Sequence, residues 1–237
     1  MFHDGPILSV AELLLRHAAA RGQQIAFSDP RRDISYADLE RRTARIAGHL
    51  AGLDVAPGDR VAIVLGSRAE AVESTFAITR AGAVGVPLDP RSSVAELARA
   101  LEDSGARLVF TDGQRLGRLR AAAPATTIVL AETVAPEGCL RYEDLAGRDA
   151  AQPAADCLSP DAPAWLHYTS GTTGGRKGVL SSQRAWLWSA SAHASAHAGS
   201  QSLPDVGDLA DDAVRVAAEA HRSQAGQDEA QLRPAAR

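Results

Sequence analysis

The stretch Ala164-Trp165-Leu166-His167-Tyr168-Thr169-Ser170-Gly171-Thr172-Thr173-Gly174-Gly175-Arg176-Lys177-Gly178-Val179 decides the reading of this chain. It opens on a short apolar run, Ala164-Trp165-Leu166, of the kind that forms a buried strand. From His167 to Val179 it reads as a loop with four glycines, four hydroxyl side chains counting Ser170 with the threonines, and one lysine. Glycines let the backbone approach an anion closely. Successive N–H groups line a concavity, hydroxyls add donors and the lysine adds positive charge. The ligand that such a loop fits is a polyphosphate. A Gly/Ser/Thr-rich surface turn is the alternative, and the length of the run and its place after a strand weigh against it.

Counting excludes two other phosphate motifs. A Walker loop needs glycine five residues after its first glycine. That position holds Arg176 when counted from Gly171, and Val179 when counted from Gly174. The dinucleotide fingerprint G-x-G-x-x-G fails at Thr173.

Upstream, strand and helix patterns alternate. Ser9 and Glu12 form a capping box for a helix that ends at Gly22. Gln24 to Ser28 and Asp33 to Ser35 read as short strands. A helix follows from Tyr36 to about Leu50, with Leu39, Ile46 and Leu50 on one face. Arg60-Val61-Ala62-Ile63-Val64-Leu65 is continuously apolar after its first residue, as expected of a parallel strand covered on both faces. The unit then repeats: helix over 69–80, strand over 84–88, helix from the Ser93/Glu96 capping box to Gly105, strand over 107–111, helix over 114–122 and strand over 126–130. Residues 148–163 are rich in Ala, Pro and Asp and read as an exposed linker. The fold class is therefore α/β, with repeated βαβ units and a mostly parallel sheet. In such sheets ligands sit at the carboxyl ends of strands, where the glycine-rich loop falls.

Bulk properties narrow the function classes. The chain has 237 residues, 45% hydrophobic and 23% charged, as in globular proteins. A net charge of -4 argues against nucleic acid or an anionic membrane as partner. Aromatic residues make up 4%, too few for base-stacking platforms. Met1 to Pro6 carries no basic stretch followed by an apolar core, and no apolar run reaches membrane-spanning length, so cytoplasm is the expected location. Cys139 and Cys157 fit neither a metal spacing nor a disulfide framework and are read as loop residues.

The segment 168–178 resembles the signature loop of the adenylate-forming, or AMP-binding, superfamily: acyl-CoA ligases, luciferases and the adenylation domains of peptide synthetases. One position departs from that pattern, Arg176 in place of a proline. Further resemblance lies in Ile34 to Leu39, Val55 to Ala62, Arg80 to Pro90 and Glu102 to Ala106, so that it spans about Ser9 to Ser189. The resemblance implies an incomplete N-terminal subdomain over 7–189 and a divergent Ala-rich tail over 190–237. It also implies ATP, with Mg²⁺ in complete relatives. A carboxylic acid is activated as acyl-AMP, pyrophosphate leaves, and the acyl group passes to CoA or a carrier protein. It assigns phosphate binding to Thr169, Ser170, Gly171, Thr172, Thr173, Gly174 and Lys177. No catalytic residue and no metal ligand is assigned.

After Trp188 the sequence becomes an Ala/Ser/His run. His193 and His197 stand four apart, but without a third ligand they read as low complexity. Leu209 to His221 has the pattern of one amphipathic helix, and 226–237 reads as a disordered tail. The family's later motifs have no counterpart here. The expectation is a truncated acyl-adenylating ligase, inactive alone. The alternatives are half of a split ligase that needs a missing-half polypeptide, and a non-catalytic interaction protein on the same scaffold.

Overall fold

The computed structural model describes residues 8–150, 156–169 and 177–189. In chain order the elements are α1 (Val10–Arg21), β1 (Ile25–Ser28), β2 (Asp33–Ser35), α2 (Tyr36–Gly52), β3 (Arg60–Val64), α3 (Ala69–Arg80), β4 (Val84–Pro87), α4 (Val94–Ser104), β5 (Leu108–Thr111), α5 (Gly113–Ala122), β6 (Thr127–Leu130), β7 (Cys139–Arg141), α6 (Tyr142–Gly147), β8 (Pro163–Thr169) and β9 (Lys177–Ser182). Residues 183–189 are helical.

Local chemistry starts the helices. Ser9 caps α1 and Ser93 caps α4, each through a reciprocal box with the glutamate three residues on. Ser35 and Asp112 cap α2 and α5 by accepting from a backbone N–H. Gly105 closes α4 in the left-handed conformation.

β1 and β2 form a small antiparallel pair. Among the described residues the main sheet has seven strands, in the order β7-β6-β5-β3-β4-β8-β9. Every neighbouring pair is parallel except β8 and β9, which form an antiparallel hairpin. The mostly parallel sheet expected from the pattern is present.

Alternation along β3 shows why its sequence is apolar throughout. Val61 and Ile63 join one core with Ile46 and Leu50 of α2, Ile78 of α3 and Tyr142 of α6. Ala62 and Val64 join the opposite core with Leu97 and Leu101 of α4 and Leu119 of α5. Both faces of the strand are covered, so neither can be polar. A third cluster lies beneath α1 and the β1–β2 pair, where Leu13, Leu14, Leu39 and Phe76 meet Leu187.

Three sequence readings are corrected. Cys139 lies in strand β7, and α6 follows it directly. Neither element was expected, because a three-residue strand and a six-residue helix are too short to show a period. The 148–163 linker is anchored where it is described. Arg80, 2% exposed, directs all five of its N–H donors to Asp156, Glu40 and Thr43. The Cys157 N–H then donates to the Arg80 carbonyl at 2.7 Å. An unpaired buried guanidinium would cost several kcal/mol, so Asp156 cannot drift away cheaply. Finally, His167 to Thr169 belong to β8 and Lys177 to Val179 belong to β9. The two strands are therefore separated by residues 170–176, which lie outside the described residues.

Candidate phosphate-binding hairpin

β8 is seated between β4 and β9. Trp165 is its anchor, 3% exposed, within 5.7 Å of the Trp186 ring. Trp186 in turn lies 5.7 Å from Phe76 of α3. Leu166 and Tyr168 point the other way, against the core beside α4. Tyr168 donates its hydroxyl proton to Asp103 Oδ2 at 2.6 Å. Burial and the Asp103 carboxylate push the Tyr168 hydroxyl up to about 12.

The segment after β9 returns to the start of the chain. Gln183 Oε1 accepts from the Val10 N–H at 3.1 Å, and Arg184 pairs with Asp161 at 2.6 Å. The first turn of α1 thus receives a second cap from 173 residues away. The hairpin is tied down at both of its strands.

Thr169 and Lys177 are register partners. They close the seven-residue span 170–176, and they do so at the carboxyl end of a strand parallel to β4, β3, β5 and β6. Of the residues assigned to phosphate binding, Thr169 and Lys177 are therefore brought together at the two ends of the loop. Ser170, Gly171, Thr172, Thr173 and Gly174 lie outside the described residues, as do His193, His197 and the 209–221 segment.

Along the same edge of the sheet lies a charged group that the sequence did not flag. Arg68 binds Glu70 at 2.6 Å and the Ala131 carbonyl at 2.6 Å, and approaches Glu132 at 3.4 Å. Arg115 binds Asp112 at 2.6 Å. These charges neutralise one another rather than converging on an open position. Burial acts against the Arg68 guanidinium, but Glu70 and its other acidic neighbours raise its proton affinity on balance. No sequence signal marked Tyr168 with Asp103 or Gln183 with Val10, because each pair joins distant segments.

The parallel α/β sheet with its β8–β9 hairpin is the fold that comparison with known proteins also finds. The AMP-binding enzyme family model matches residues 14–218. The chain belongs to the AMP-binding enzyme family. The match runs past residue 189, where the motif resemblance stops.

Among its relatives is the chalcone synthase cfoA of Aspergillus candidus, 47% identical over 191 residues, which are 75% of this chain and 7% of that protein. The 4-hydroxybenzoate–CoA/benzoate–CoA ligase of Rhodopseudomonas palustris is 36% identical over 69% of this chain and 31% of its own length. Among solved structures, the anthranilate CoA ligase AuaEII superposes with a TM-score of 0.71 at 26% identity, covering 79% of this chain and 37% of that one. The chain thus spans less than half the length of these relatives. Among the described residues no helix is long and apolar enough to cross a membrane.

Proposed function

We propose that residues 169–177 bind the β- and γ-phosphates of ATP while a carboxylic acid is activated as its acyl-adenylate. A carboxylate oxygen attacks the α-phosphorus, and the bond from that phosphorus to the β-phosphate oxygen breaks. Pyrophosphate leaves with the electron pair. A thiol of CoA or of a carrier protein then takes the acyl group, and AMP departs. The observation that carries this reading is the register pairing of Thr169 with Lys177, which closes a Gly/Ser/Thr-rich span at the ligand-binding edge of the sheet.

In this reading Ser170, Thr172 and Thr173 donate through their hydroxyls, and Gly171 and Gly174 admit the phosphates close to the backbone. Lys177 offsets the charge that grows on the leaving pyrophosphate. The protein's contribution is positioning and charge neutralisation. Among the described residues no three or more His, Cys, Asp or Glu side chains gather around a metal position. Relatives named as ligases of benzoate and of indoleacetate make an aromatic acid the first substrate to test. A cytoplasmic location belongs to the same reading.

A second reading has the chain acting with a separate polypeptide that adds to the sheet. The outermost of the described strands supports it: Val179 and Leu180 of β9 are 51% and 58% exposed.

The test is a titration of ATP, GTP and pyrophosphate into the wild type and Lys177→Ala, followed by amide NMR. A few charge-assisted hydrogen bonds, less the cost of ordering the loop, correspond to a dissociation constant of about 1 mM. We expect binding of that order, little preference for the base, and weaker binding by Lys177→Ala. Saturable binding that Lys177→Ala leaves unchanged would refute the assignment.

A further inference from the structure

We infer that Tyr168 and Asp103 form a positioning pair that sets where the two ends of the 170–176 loop stand. The inference rests on the phosphate-binding reading above. It begins with how β8 is held. The ladder between β4 and β8 has one registered pair, Gly85 with Trp165. Two residues further along, β4 ends on Pro87, which has no N–H to donate. Among the described residues, the backbone of β8 from Leu166 to Thr169 is registered with β9 alone. That stretch leads straight into the loop. Side chains must hold it to the body of the domain.

Tyr168 supplies the polar part of that hold. Its hydroxyl is 2.6 Å from Asp103 Oδ2 and 3.5 Å from the Ala100 carbonyl oxygen. Asp103 sits in the last turn of α4, where the helix dipole disfavours a carboxylate and where no basic residue offsets it. Local helix chemistry does not account for an aspartate there, whereas the bond to Tyr168 does.

The placement passes from Tyr168 to Lys177 through Gly178. Gly178 is the register partner of Tyr168. A Cβ on Gly178 would lie 2.9 Å from Leu166 Cδ1 and 3.7 Å from Tyr168 Cε1. The side chains of β8 therefore take up the space over the glycine, and the strand pairing places the backbone of β9 against β8. Lys177 is the next residue along. Because Tyr168 and Gly178 are paired across the ladder, a shift of the Tyr168 backbone moves Gly178, and with it the base of the Lys177 side chain. Tyr168 touches no phosphate in this scheme. It acts through position.

The experiment measures pyrophosphate affinity for the wild type, Tyr168→Phe, Asp103→Ala, Asp103→Asn, the Tyr168→Phe/Asp103→Ala double variant and Lys177→Ala. Thermal stability and the amide shifts of Lys177 and Gly178 are recorded in parallel. Tyr168→Phe keeps the ring packing and loses the bond, so affinity should fall about fivefold, the equivalent of one hydrogen bond. Asp103→Ala should match it, and the double variant should be no weaker than either single one. Asp103→Asn keeps an acceptor oxygen and should recover most of the affinity. The Lys177 and Gly178 amides should move in the first two variants and return in the third. Lower thermal stability with unchanged affinity would overturn the inference and leave the phosphate reading standing. Wild-type affinity equal to that of Lys177→Ala would overturn the phosphate reading, and the positioning role with it.

Discussion

The six-membered ring of Trp165 fills the space that a side chain on Gly85 would need. A Cβ there would stand 2.2 Å from Cζ3 and 2.6 Å from Cε3 of the indole. The two residues are the registered pair joining β8 to β4, so strand β8 is docked by an indole lying against bare backbone. Position 85 must be glycine because Trp165 is the partner, not because of its own dihedral angles.

Gly85→Ala should therefore destabilise the protein. The indole is confined on its far side by Trp186 at 5.7 Å. Overpacking of this kind costs about 1–3 kcal/mol. The urea midpoint should fall with an unchanged denaturant slope. A change below about 0.5 kcal/mol would show that the indole can rotate away at little cost.

A second prediction concerns the junction of α2, α3 and α6. Glu73 is fully buried and receives Arg42 at 2.7 and 3.1 Å and the Tyr142 hydroxyl at 3.1 Å. Burial pushes its carboxyl up, while Arg42 and Arg32 pull the other way. Glu73→Ala removes one of the two carboxylates that bind the half-buried Arg42, leaving Glu143 at 2.8 and 3.0 Å, and should cost about 1–3 kcal/mol. Glu73→Gln keeps an acceptor and should cost less. Equal losses from the two, read by chemical denaturation, would show that packing rather than the charge pair holds this junction.

The hairpin should be sensitive to alkali. Tyr168 carries a folded-state value of about 12, above the ordinary 10 of tyrosine. The proton is held more tightly in the folded form. The stabilisation is thus complete below about pH 10 and is lost as pH rises towards 12. A spectrophotometric titration should show Tyr168 ionising at about pH 12 in the wild type, while burial holds the Tyr142 hydroxyl up as well, and the transition at about pH 12 should vanish in Tyr168→Phe. A transition near pH 10 for Tyr168 would mean that the Asp103 bond is not formed in solution.

Self-association is expected at the β9 edge. Val179 and Leu180 are adjacent, so they point to opposite faces of the strand, and both are more than half exposed. An apolar strand at the end of the sheet is a template for pairing. Val179→Thr combined with Leu180→Lys should raise the monomer fraction in size-exclusion chromatography with light scattering. The same oligomer distribution in wild type and variant would place any association elsewhere.

How much could be read from the chain differs from one element to the next. The α1 and α4 capping boxes, the apolar run of β3 and the glycine at the end of α4 are local signals, set by residues within one turn or one strand. The 168–178 segment is equally local, and it marked both the family and the edge of the sheet where its loop falls. By contrast, β7 and α6 were missed because their lengths are below one clear period. The sequence pattern alone extends the loop to 167–179, because Thr169 and Lys177 become strand residues only by pairing with each other.

The sequence by itself determined the α/β class, the order of most elements and the loop whose glycines and hydroxyls suit a phosphate. Those features depend on neighbours in the chain, and short-range sterics and hydrogen bonding are written there. The tertiary structure alone decided that Gly85 faces Trp165, that Asp156 neutralises buried Arg80, and that Tyr168 reaches Asp103. Each of these joins residues 65 to 80 positions apart. No window of sequence contains both partners. Only packing brings them within the few ångströms at which van der Waals contact and hydrogen bonding act.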